Sequence, residues 1–333
     1  MAKYSFGKID HIILFGGSRA TLEIARWAQQ TNLSLDVFTA PRQLDDVVGD
    51  EGETFEQLLK LNSIHYRVSQ DINQEADLLS MVTDKTLGIG LGEAWSFEKT
   101  VIDAFDGRLL DIMGIPLPKY RGGAHYTWLL QRKERQWAVN LQVINEDMVQ
   151  GEFDSGEILY SKRYLLPEHL ESPQNVFDFA SNVEKEFVAE FISKVSQGES
   201  FDALLPDESE SLFFPRLNTL KHGWINWQWT CEEIVDFIRS FGAPYAGAST
   251  HLNEERVFIH GAKIASTEKF HPFQSGLITR IFDDKIYIIA KDGLIVCDKL
   301  VNSDGHQVSL KTGMRLFTPM KQLEEAMMFQ CSY

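Results

Sequence analysis

Over the first 115 residues, short apolar runs alternate with stretches of helical spacing, and this alternation constrains the fold more than any other feature. "IDHIILFGG" (9–17) is a buried-strand run closed by two glycines. "SRATLEIARWAQQ" follows it, with Ser18 as N-cap and apolar side chains at helical spacing. "LSLDVFTAP", "IHYRVS", "TLGIGLG" (86–92) and "RLLDIMGI" read as further strands. "TFEQLLKLN", "INQEADLLSMV" and "SFEKTVIDAF" read as the helices between them. Such a series predicts an α/β fold on a Rossmann-like, mainly parallel sheet. Ligands of such sheets bind outside the carboxyl ends of the strands. That rule gathers Gly16–Ser18, Gly90–Trp95 and Asp111–Arg121 along one rim. "FGGSRA" could offer backbone N–H groups to an anion at a helix start, although it is not a full Gly-x-Gly-x-x-Gly.

Further along, "GAHYTWLLQRKE" reads as a helix, "WAVNLQVIN" and "EILYSKRYLL" as paired strands, and 172–197 as a long amphipathic helix opened by Ser172-Pro173. The acidic, Pro-containing stretch 198–220 reads as a linker. After the helix "CEEIVDFIRSF", the chain from about 255 breaks into short strands with Asp-Asp and Asp-Gly turns. The expected organisation is a first domain over 1–197, a linker over 198–220, and a smaller β-rich, OB-like barrel domain over 221–333.

With 333 residues, two domains are the natural expectation. No run approaches the ~20 apolar residues that cross a bilayer, and the N-terminus reads as a first strand instead of a signal peptide. Three widely spaced cysteines form neither a disulfide framework nor a zinc pattern, so no metal is expected and a reducing cytoplasm suits them. The net charge of −16 disfavours nucleic acid as a partner, because phosphate binding needs Lys and Arg. Oligomeric state is not readable.

Two motifs carry a resemblance. "LPKYRG" (117–122) followed by "GEFDSGEIL" (151–159) resembles the formyltransferase family, whose members move a formyl group from 10-formyltetrahydrofolate to an amine. The joining segment "FFPRLNTLKHGWINWQWTCEEIVDFIRSFGAPYAGAST" and the terminal "DGLIVCDKLVNSDGHQVSLKTGMRLF" also look like that family, in the same order along the chain. The architecture resembles most the two-domain methionyl-tRNA and amino-sugar formyltransferases. The resemblance implies 10-formyltetrahydrofolate as co-substrate and Asp154 as catalytic carboxylate. It also implies a folate site around Gly90, Leu91, Trp95, Val149, Gly151 and Glu152, with Pro118, Arg121 and Gly122 anchoring the loop.

The family loop typically reads Asn-x-His-x-Ser-Leu-Leu-Pro. Here the Asn falls on Asp111, the His on Met113, the Ser on Ile115 and the first Leu on Pro116. Donors aimed at a developing oxyanion lower the barrier, and losing one costs about 2.7–4 kcal/mol. An ionised Asp111 would repel that charge, and the Met113 thioether donates nothing. Three substitutes stand beside Asp154. Asp111 could be protonated, since two nearby carboxylates cannot both ionise cheaply. His125 could accept a proton, or be a packing histidine at a helix start. Glu93 could act as acid, or be a solvated loop charge. Trp95 could stack on a flat ring or cap the sheet as a core aromatic.

The expected function is a divergent formyltransferase acting on a small-molecule amine or nucleotide-linked amino sugar. Residues 206–333 hold 13 basic and 16 acidic side chains, which offers a tRNA no net positive surface. The alternatives are a catalytically silent relative binding folate, a nucleotide or a partner, and an enzyme with repurposed acyl-transfer or hydrolase chemistry.

Overall fold

A computed structural model describes residues 2–92, 94–146 and 154–331. The chain divides into two compact units. Residues 1–121, 136–165 and 177–213 form the first, and 122–135, 166–176 and 214 onward form the second. The acidic stretch 198–220 passes from one to the other after Phe213.

The first unit is built on seven strands: β1 (His11–Gly16), β2 (Ser34–Thr39), β3 (Tyr66–Val68), β4 (Thr86–Leu91), β5 (Leu109–Met113), β6 (Gln136–Val143) and β7 (Ile158–Leu165). Their spatial order is β3-β2-β1-β4-β5-β6-β7. The first five run parallel, and β6 and β7 are antiparallel additions at one edge. Helices α1 (Arg19–Gln29), α2 (Phe55–Leu61), α3 (Ala76–Met81) and α4 (Lys99–Phe105) connect the parallel strands. Ile12, Ile13, Leu14 and Phe15 of β1 are fully buried. A continuous apolar run of this kind belongs to a parallel strand covered on both faces. Phe15 meets Phe97 edge-on at 5.0 Å between ring centres and also packs near Phe38 and Phe105. Burying one such ring contributes roughly 1.5–3 kcal/mol.

The two glycines at the end of β1 serve close packing. A β-carbon on Gly16, whose φ is +144°, would lie 2.2 Å from the Leu91 carbonyl, and one on Gly17 would lie 2.4 Å from Gln43 Cβ. The Ser18 side chain accepts from the Thr21 N–H and so caps α1 itself.

In the second unit, α5 (His125–Gln131) and α7 (Cys231–Ser240) pack together, tied by Lys133 to Asp236 at 3.2 Å. The long helix α6 (Pro173–Ser196) begins in this unit and continues in the first. Eight strands follow: β8 (Ala248–Leu252), β9 (Glu255–His260), β10 (Lys263–Ser266), β11 (Ile278–Phe282), β12 (Lys285–Ala290), β13 (Gly293–Cys297), β14 (Lys299–Val301) and β15 (Leu316–Phe317). They form two antiparallel sheets ordered β14-β9-β8-β15 and β10-β13-β12-β11. Their core joins Ile225, Trp227, Ile234, Ile259, Ile288 and Ile295. The mixed α/β class, with a large mainly parallel sheet and a β-rich C-terminal part, agrees with the reading from sequence. No helix among the described residues is long and apolar enough to cross a membrane.

Candidate functional site

Strand β5 ends at the carboxyl edge of the parallel part of the sheet and carries Asp111. This side chain is buried, at 6% exposure. Asp111 is in register with Gly90 of β4 on one side and Gln142 of β6 on the other. Gln142 is fully buried, and its Nε2 donates to the main-chain carbonyls of Asp154 at 3.1 Å and Gly156 at 2.9 Å. Asp154 itself is 7% exposed and adopts φ +59°. A non-glycine residue in that region carries a local strain of order 1–3 kcal/mol unless its surroundings fix it. The Gln142 amide helps to fix it. Thus Asp111, Gln142 and Asp154 belong to one assembly, carried by two strands and a tight turn.

Gln142 was not singled out by the sequence reading. The signal was available: Asn140 and Gln142 are carboxamides at alternate positions within the apolar run 137–143, so they share one face. Buried amides need partners. Asn140 Nδ2 donates to the Ile115 carbonyl, and its Oδ1 accepts from Ser161 Oγ at 2.6 Å.

The loop after β5 is held from several sides. Trp137 Nε1 donates to the Gly114 carbonyl at 2.6 Å. Met113 packs on the apolar cluster of Ile115, Leu117 and Ile158. A thioether suits that environment, where an imidazole would need hydrogen-bond partners. Pro118 is half-buried and follows a cis peptide bond. Arg121, 9% exposed, binds Glu208 through both guanidinium ends at 2.6 and 2.7 Å, and its main-chain N–H donates to Leu212. Its guanidinium holds the Glu208 carboxyl below the usual carboxylate range.

The remaining sequence-selected residues fall as follows. Gly90 and Leu91 are buried at the end of β4. Trp95 is half-buried, packs against the cluster of Phe15, Phe97 and Val101, and donates from Nε1 to the Gln70 carbonyl at 3.2 Å. Gly122 and His125 belong to the second unit. Burial pushes the His125 pKa down to about 4, against the upward pull of a hydrogen bond to the Gly122 main chain. Its Nε2 is buried without a hydrogen-bond partner. Glu93, Val149, Gly151 and Glu152 lie outside the described residues. Among the described residues, no group of three or more His, Cys, Asp or Glu could hold a metal ion.

With this geometry in hand, comparison with known proteins shows what the chain is similar to. Residues 219–316 match the family model of the formyl transferase C-terminal domain. Together with the relatives below, that match supports a formyltransferase family for the chain. The methionyl-tRNA formyltransferase of Lactococcus lactis is 24% identical over 199 residues, spanning 57% of this chain and 59% of the relative. This chain therefore matches a little over half of that relative's length. Among solved structures, the sugar 3N-formyl transferase WlaRD, determined with dTDP and 5-N-formyl-THF, superposes with a TM-score of 0.59 at 17% identity. That match covers 87% of this chain and 97% of WlaRD. An N-formyltransferase from Helicobacter canadensis, complexed with folinic acid and dTDP-3-aminofucose, gives 0.60 at 15% identity, covering 88% of this chain and 100% of that one.

Proposed function

We propose that the chain transfers a formyl group from 10-formyltetrahydrofolate to the amine of a small molecule or nucleotide-linked amino sugar. The observation that carries this reading is the buried Asp154 on its left-handed turn, clamped by Gln142 beside the strand that bears Asp111. The attacking amine forms the new C–N bond to the formyl carbon, the bond from that carbon to folate N10 breaks, and one amine proton passes to N10. Asp154 receives the proton as the amine adds and returns it to the leaving nitrogen. Gly90, Leu91 and Trp95, with Val149, Gly151 and Glu152, form the proposed folate-contacting set. Pro118, Arg121 and Gly122 anchor the loop. His125 and Glu93 are the other proposed proton carriers.

Calorimetric titration with 5-formyltetrahydrofolate, an unreactive relative of the donor, tests the reading. Micromolar binding, about −8 kcal/mol, supports it, and absence of binding overturns it. Amino sugars, small amines and methionyl-tRNA are then compared as acceptors, the last because curated relatives carry that name.

A second reading has its own observation. Met113 is absorbed into an apolar cluster where the family places its histidine, as expected of a relative that binds folate or a nucleotide without turnover. Folate binding without transfer to any of those acceptors would favour it.

A further inference from the structure

The second unit contains a cavity of about 270 Å³ that shares no residue with the Asp111, Gln142 and Asp154 assembly. Leu129 and Leu130 of α5, Leu170 of the segment before α6, and Val176 of α6 give it apolar walls. Leu129 and Val176 are buried, so that wall is already built into the core. Three cations and four carboxylates line the rest, which makes the cavity net acidic, like the chain as a whole.

The cations are already committed. Arg135 pairs with Glu168 at 2.6 Å and donates from Nε to the Leu166 carbonyl at 2.8 Å. Arg239 pairs with Glu171 at 3.2 Å and donates from Nε to the Ala262 carbonyl at 3.3 Å. Lys133 is shared between Glu232 and Asp236. An anion enters such a cavity only by expelling a carboxylate that is already paired.

Asp236 of α7 is placed differently. Its side chain is 14% exposed, and the Lys133 ammonium lies 3.2 Å from its Oδ2. A carboxylate has room for about four hydrogen bonds, so one shared ammonium leaves capacity for more. Burial pushes the Asp236 carboxyl above its ordinary pKa against the pull of Lys133, as expected where desolvation outweighs the charge supplied. A further cation gains more from a carboxylate in such a place than from one in water.

We propose that this cavity binds a small primary amine, with its ammonium on Asp236 and its apolar body against Leu129, Leu170 and Val176. Lys133 can yield its place on Asp236, because the 66% exposed Glu232 holds it from the solvent side. The proposal is independent of the formyl-transfer reading, since no lining residue belongs to the Asp154 assembly.

Methyl NMR of the full chain, labelled with ¹³C at leucine and valine methyls, tests this with benzylamine, benzyl alcohol and benzoate. The three probes are similar in size and differ in charge. Benzylamine, at about the millimolar strength open to so small a ligand, should shift the methyl signals of Leu129, Leu170 and Val176 along a saturable curve. Benzyl alcohol should bind about tenfold or more weakly, the loss expected when a charged hydrogen bond is removed. Asp236→Asn should weaken benzylamine by a similar factor, while Asp154→Asn leaves these shifts unchanged. Shifts that never saturate, benzoate binding as tightly as benzylamine, or full affinity in Asp236→Asn would each overturn the proposal. If Asp236→Asn does not fold, the ranking of the three probes on the unaltered chain still decides. Saturable benzylamine binding by a chain that takes up no 5-formyltetrahydrofolate would defeat the formyl-transfer reading and leave this site standing.

Discussion

Arg121 grips Glu208 with both ends of its guanidinium across 87 positions of sequence, pinning the loop after β5 to the acidic segment that precedes Phe213. The arginine is nearly buried while the glutamate side chain is 63% exposed. Removing the glutamate strands a desolvated cation, whereas removing the arginine releases a carboxylate into water. Glu208→Gln should therefore destabilise the chain by about 1–3 kcal/mol and loosen the segment around Pro118. Urea titration and amide exchange of residues 117–121 would report both, and unchanged values would mean that the pair contributes no more than a surface contact.

Glu184 of α6 is buried, and burial alone raises its pKa from 4.5 to about 7. The folded state then holds the proton more tightly than the unfolded chain, so stability is highest below the unfolded value and falls as pH rises through about 7. Glu184→Gln should match the original protein in mild acid and exceed it by about 3 kcal/mol in mild alkali. Parallel pH–stability curves for the two proteins would refute this.

His125 runs the opposite way. Its folded pKa of about 4 lies below the ordinary 6.5, so the unfolded chain takes up the proton first. Stability is full above the unfolded value and is lost as pH falls toward about 4. His125→Gln, neutral throughout, should flatten the acid limb of the stability curve of the second unit. A limb of unchanged slope would show that the imidazole is charged in the native state.

On the formyl-transfer reading, Asp154→Asn should lower turnover by about 10²–10⁴-fold, the range of one general base, while calorimetric affinity for 5-formyltetrahydrofolate stays within a few-fold. The double change Asp111→Asn with Met113→His should raise transfer. No gain in a variant that folds and binds folate would count against simple descent from the family's usual site. Retained turnover in Asp154→Asn would remove Asp154 from the chemistry.

The elements most legible in the sequence are those with a single strong period. Strand β1 and helix α1 show as an apolar run and a helical stripe, and both form where expected. Strand β8, Ala-Ser-Thr-His-Leu, was not anticipated, because its burial depends on pairing with β9 and β15 and not on its own pattern. Helix α8 (Met320–Met328) was missed for a similar reason: few of its side chains are buried, among them Leu323 and Ala326 against Trp224. Within the site, Asp111 and Asp154 were marked by motif position. Gln142 is marked in the sequence only as a carboxamide sharing a face with Asn140; which groups it holds depends on a register and two hydrogen bonds that local composition does not spell out.

Strand β6 contributes none of the residues by which the family's loop was compared, yet its side chains brace both segments of the site: Trp137 and Asn140 reach the carbonyls of the loop after β5, and Gln142 those of the Asp154 turn. On the formyl-transfer reading, scaffold and reagent are consequently encoded in different segments. A lineage can exchange the reacting side chains on β5 without disturbing the frame that presents them.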